Sequence, residues 1–149
     1  MSKVTVQDNT GNFAIIESDI SKIFVFDNQF RNEILRNASG GVLDFLAGTV
    51  LGRISASLKL VPVASAAVDG SEIPIAVLAE DIIQLADATD QAVTNVCIGG
   101  DVAEEKIILD GADTLDTLIG GRTIRDLLNS TSLGIRLVTR DDLTGFDNV

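Results

Sequence analysis

The chain has no histidine, no tryptophan and no tyrosine, and its aromatic residues are six phenylalanines, 4% of 149 residues. Without histidine there is no imidazole base, no imidazole metal ligand and no Ser-His or Cys-His pair. Without Tyr or Trp, few rings remain for stacking on sugars or bases. There is one cysteine, Cys97, so no intrachain disulfide can form. It sits in the apolar run Val93 to Ile98, where a small buried residue is expected rather than a nucleophile. No apolar run approaches the length of a membrane span. Met1-Ser2-Lys3 leads into a polar, alternating segment, so no leader is expected and the chain should be made in the cytoplasm.

What is present is an aliphatic core. Hydrophobic residues make up 46% of the chain, enough to exclude disorder. At this length the chain is expected to be one globular domain, filled by Val, Ile, Leu and Ala.

Charge is unevenly spread. Eleven bases stand against 22 acids, a net of −11. Residues 1–62 and 117–149 each balance to zero, so the whole excess falls in residues 63–116, where Lys106 is the lone base. There is no basic stripe to displace counterions from phosphates, which argues against nucleic acid and against an anionic membrane. The acidic middle third is expected to face solvent while the neutral ends face a partner.

The central stretch, Gly48 to Ile82, organises the rest. Gly48 and Gly52 bracket Thr49-Val50-Leu51, a second apolar run spans Leu58 to Val63, Asp69-Gly70 marks a turn, and Ile75 to Ala79 is continuously apolar. Such runs, cut by Gly, Asp and Ser, read as strands of a small barrel or sandwich. Phe13 to Ile16 and Ile23 to Phe26 are further candidate strands. Residues Asn28 to Asn37 fit either a helical face or a strand. Gln84 to Asp90 reads as a polar loop or short helix. Ala92 to Ile98 and Ala103 to Leu109 read as two strands joined by a bend or hairpin at Gly99-Gly100-Asp101. No phosphate-loop pattern surrounds that glycine pair.

Leu115, Leu118, Ile119, Ile124, Leu127 and Leu128 repeat at helical spacing, interrupted by Gly120-Gly121. This predicts a broken helix near 114–129, with Thr123 capping the restart and Asp126 at the capping-box distance. A last strand covers Leu133 to Thr139. The acidic turn Asp110-Gly111-Ala112-Asp113 lacks the spacing of an EF-hand, and no cofactor or metal is expected.

The ordered series GTVLG, an apolar strand containing Pro62, Asp-Gly-Ser, then IAVLAEDI resembles tailed-phage head decoration (capsid cement) proteins of the lambda-like type. The resemblance is best over residues 48–109. It implies a mainly β, tulip-like barrel or sandwich with a short helical segment. It also implies a homotrimer bound to the major capsid protein on the outside of the virion, clamping neighbouring coat subunits. The chain then divides into an N-terminal extended arm with the first strands, 1–47, and a β-rich decoration body, 48–149. The expected capsid contact lies in the arm and the phenylalanine patch: Lys3, Val4, Val6, Phe13, Phe24, Phe26 and Phe30. Two other readings stay open. One is a different virion adaptor or a host-surface binding barrel. The other is a hydrolase built on carboxylates alone, from Glu80-Asp81 or Asp87 with Asp90, which would need convergent acids in a concave pocket.

Overall fold

The computed structural model describes residues 23–130 and 134–139, together with the backbone of residues 2–7 and 13–18. The chain order is β1 (Ser2–Gln7), β2 (Phe13–Ser18), β3 (Phe24–Arg36), β4 (Leu43–Phe45), β5 (Val50–Arg53), β6 (Leu60–Pro62), β7 (Pro74–Leu78), β8 (Ile82–Leu85), β9 (Asp90–Ala103), β10 (Leu118–Ile119), β11 (Arg122–Thr123), α1 (Ile124–Asn129) and β12 (Ile135–Val138). The protein is mainly β with one short helix, as expected.

Six strands form one mixed sheet in the order β12-β9-β3-β6-β5-β7. A further antiparallel pairing of β7 with β9, Val77 opposite Cys97 and Leu78 opposite Val96, bends this sheet nearly into a ring. The seam is narrow, because β3 meets β6 at a single parallel pair, Leu35 with Leu60. The result is a near-ring rather than a strict barrel.

Val50-Leu51 of β5 and Ile75 to Leu78 of β7 are continuously apolar because both faces of these strands pack into the core, as does the Val96-Cys97 segment of β9. Val50, Val77, Cys97 and Val102 pack on one side against Ile124 and Leu128 of α1 and Ile135 of β12. Their sequence neighbours Leu51, Leu78 and Val96 pack on the other side with Leu35, Phe45 and Leu60. Full burial of each such side chain contributes about 1.5–3 kcal/mol.

The ambiguous stretch 28–37 is strand. Its periodicity misleads because β3 shifts register against β9 at several points between Phe24 and Glu33. Asp27 lies in the left-handed region at φ 53°, which breaks the two-residue alternation.

The hairpin expected at Gly99-Gly100-Asp101 is absent. β9 runs straight through it, and the second strand expected there, Ala103 to Leu109, is a 3-10 turn at Glu104–Lys106. Gly100 has φ +102°, and a Cβ there would strike the carbonyl of Asp27. The glycine pair therefore lets two strands approach at a bulge rather than reverse direction.

The helical expectation at 114–129 holds only in its second half. Gly120 and Gly121, at φ 60° and 83°, close a tight turn between β10 and β11 and exclude a helix there. Thr123 does cap α1, its Oγ1 accepting from the amide of Asp126 at 3.1 Å. Of Gln84 to Asp90, expected as a polar loop or short helix, residues 86–89 are loop, whereas Gln84 and Leu85 end β8, which pairs with β4, and Asp90 opens β9. The N-terminal segment expected as an extended arm pairs with itself: β1 and β2 form an antiparallel hairpin, Ser2 opposite Ser18 through Gln7 opposite Phe13.

Candidate contact surface

Acids are the first candidates for chemistry, and the fold employs them as ties. Asp81 accepts from the amide of Ala47 at 2.7 Å, Asp87 from Gly40 at 2.9 Å, and Asp44 from Gln84 at 2.7 Å. Asp113 holds both the amide and the hydroxyl of Ser65. Asp90 bonds Lys59 and Arg36, which hold its carboxyl below the usual range. Each of these carboxylates thus fixes a loop or pairs with a base.

A cleft of about 320 Å³ lies between Asn37, Phe45, Ile54 and Pro62. Of its two acids, Asp69 and Asp110, the first is held by the hydroxyl and amide of Ser71, which keep it below the usual range. Cys97 is fully buried; burial pushes its thiol up, and Sγ donates to the carbonyl of Gly99 at 3.2 Å. It is core, as expected. Among the described residues no cluster of His, Cys, Asp or Glu could hold a metal ion.

Part of the acidic middle third is drawn into ion pairs with the rest of the chain. Its Asp90, Asp101 and Glu104 are paired with bases from both flanks: Arg36 and Lys59, Arg136, and Arg125. The Arg125 pair is bidentate, at 2.5 and 2.7 Å.

Exposed apolar side chains are what the surface offers instead. β9 lies along one edge of β3, whereas the opposite edge, from Phe24 to Ile34, has no strand partner among the described residues. Phe26 is 70% exposed and Phe30 is also exposed. Phe24 is half-buried against the core, and its ring stands edge-on to Phe30 at 5.3 Å, bracing it from behind. The phenylalanine patch thus divides into a core filler and two exposed rings. For Lys3, Val4, Val6 and Phe13 the described backbone gives the hairpin register, and their side chains lie outside the described residues. Sequence reading missed a second exposed group, Val42, Leu43, Leu46 and Ile83 on the β4–β8 ribbon. Its signal was present: apolar residues flanking Asp44, and Ile83 beside Ile82, with nothing local to bury them.

No curated protein matches the chain. The family model described as bacteriophage lambda head decoration protein D matches residues 33–117. That span is more than half of the chain and contains the ring strands β5, β6, β7 and β9 and the stapled β4–β8 ribbon, so this is a member of the lambda head decoration protein family, a structural and non-enzymatic protein of the outer capsid surface.

Proposed function

We propose that the protein acts as a homotrimer that clamps neighbouring subunits of the major capsid protein. The observation that carries this reading is the unpartnered edge of β3 with its exposed Phe26 and Phe30. A long open edge offers main-chain hydrogen bonds to a strand from another chain, and exposed rings offer burial. In this reading residues 1–47 supply the arm and the first strands, and residues 48–149 the decoration body. The coat contact comprises Lys3, Val4, Val6, Phe13, Phe26 and Phe30, with Phe24 supporting Phe30.

The β1–β2 hairpin suits strand addition, because a two-stranded ribbon is marginal alone and gains from a third strand. The test offers the protein back to capsids that lack it. Deleting residues 2–12 removes β1 and should leave a folded oligomer that binds capsids poorly. Undiminished binding by the truncated chain would refute the arm's role, and a one-chain mass for the intact protein by light scattering would refute the trimer.

A further inference from the structure

The cleft between the β4–β8 ribbon and the β5–β6 hairpin has an apolar interior and an acidic mouth. Its floor is Phe45 and Val61, both buried, and its walls are Leu43, Ile54, Pro62 and Ala64. At about 320 Å³ it stands at the small end of ligand pockets, which run from about 300 to 1,000 Å³, so it has room for one or two side chains. Asn37 and Ser71 line it too, and both are buried and engaged. The Asn37 side-chain amide donates to the carbonyls of Gly41 and Leu85 at 2.8 and 2.7 Å, and its Oδ1 accepts from the amide of Ser39 at 2.9 Å. The Ser71 hydroxyl donates to Asp69. These bonds fix the walls.

What remains for an incoming group is carboxylate. Asp69 and Asp110 are exposed and so stand at the mouth. Asp69 takes both bonds from Ser71 on one oxygen, Oδ1, and the Asp110 carboxylate makes no hydrogen bond or ion pair among the described residues. No base is among the described residues that line the cleft. On neighbouring segments, Arg31 and Arg53 pair with Glu33, and Arg36 and Lys59 pair with Asp90. The positive charge left over there is outweighed by Asp69 and Asp110 together with Glu72, Asp87 and Asp113. Those three bind the amides of Gly70, Gly40 and Ser65, each one residue from the lining.

We propose that this cleft is a second docking site for the coat protein, and that it takes a segment in which an aliphatic residue stands beside a lysine or arginine. The aliphatic side chain fills the floor over Phe45 and Val61. The basic residue lays its stem along the wall and keeps its charged head at the mouth, against Asp110 and Asp69. A second copy of this chain is poorly supplied with such a segment. Arg125 and Arg136, like the four bases above, are paired with carboxylates, and Lys106 and Arg122 stand beside Glu105 and Asp126. The coat protein is the neighbour that a protein of the outer capsid surface meets. The inference rests on the reading that this protein binds the coat, and the site is separate from the arm, Phe26 and Phe30.

The test titrates the full chain with two blocked dipeptides, acetyl-Leu-Lys-amide and acetyl-Leu-Glu-amide, and follows the methyl signals of Leu43, Ile54 and Val61 by NMR. The lysine peptide should move these signals at millimolar concentration, and the glutamate peptide should need at least about tenfold more. Asp110→Asn should weaken the lysine peptide about two- to fivefold, the range of an exposed ion pair, and should not weaken the glutamate peptide. Ala64→Leu fills the cleft and should abolish the response, with circular dichroism checking its fold. If that variant unfolds, Ala38→Leu at the exposed rim takes its place. An equal response to the two peptides, no response to either, or a response that survives the filling variant overturns the site. Capsids that lack the protein are then offered the parent and the filled chain, both with the arm intact. The filled chain should bind more weakly, and equal binding overturns the coat protein as the occupant. A parent chain that fails to bind capsids overturns the coat reading and the occupant with it, while the peptide titration still decides the site.

Discussion

β3 and β9 are neighbours of nearly equal length, 13 and 14 residues, and they share the longest pairing in the sheet. β9 has partners on both edges: β3 on one, β7 and β12 on the other. β3 has β9 on one edge and touches β6 on the other only at Leu35. The side chains follow this difference. β9 buries Val93, Val96, Cys97 and Val102, whereas β3 exposes Phe26, Phe30 and Ile34. A long open edge bearing apolar side chains is a liability for a protein that stays alone in solution. On a protein that coats a capsid, it is the part of the fold with bonds still to make.

The contrast should break most sharply at two adjacent residues of β3. Leu35 is fully buried at the seam, and Ile34 beside it is exposed. Leu35→Ala should cost about 2–5 kcal/mol in a urea titration. Ile34→Ala should change stability by less than about 0.5 kcal/mol in the unassembled chain. Equal losses would mean that the open edge is covered in solution.

The next effect tests how closely β3 and β9 approach. Gly100→Ala places a methyl against the Asp27 carbonyl in a backbone conformation that side chains avoid. It should cost about 1–3 kcal/mol, read as a lowered midpoint of thermal unfolding. A neutral result would show that the bulge at Asp27 moves freely.

The smallest effect concerns pH. Partial burial pushes the Glu33 carboxyl up, but Arg53 and Arg31 outweigh it and hold it below the usual range. A carboxyl lowered on folding stabilises the fold in full above its unfolded value, about 4.3, and loses that contribution as pH falls through the folded value. Urea midpoints at pH 7 and pH 3 should therefore differ less in Glu33→Gln than in the parent, by roughly 1 kcal/mol once solvent screening of the half-exposed arginines is allowed for. An unchanged acid limb would remove Glu33 from the account.

What was legible in the sequence was local. Thr123 and Asp126 marked the start of α1 because a cap is made within four residues. Val50-Leu51 and Ile75 to Leu78 marked β5 and β7 because burial on both faces leaves no polar position. The rest depends on residues far apart in the chain. The ring closes through Val77 and Cys97, and the ribbon is tied through Asp81 to Ala47 and Asp87 to Gly40, 34 and 47 positions apart. Gly99-Gly100 looked like a reversal because a glycine pair permits one; only the neighbouring bulge at Asp27 makes it a crossing point. Of the contact surface, the phenylalanines were visible as a patch, but Phe24 differs from Phe26 only by which face of a bulged strand it occupies.

The single Leu35–Leu60 pair at the seam has a consequence for how the molecule comes apart. Proteins open in cooperative pieces, and the pieces separate where few backbone bonds cross. Here β3 and β9 are bound along nearly their whole length, and β5 is bound to both β6 and β7, whereas β3 and β6 share one residue pair. The ring is therefore a strip with a clasp. Amides beside the clasp exchange with solvent before those in the β3–β9 ladder, and any strand laid along the open edge of β3 lengthens the clasp from the outside.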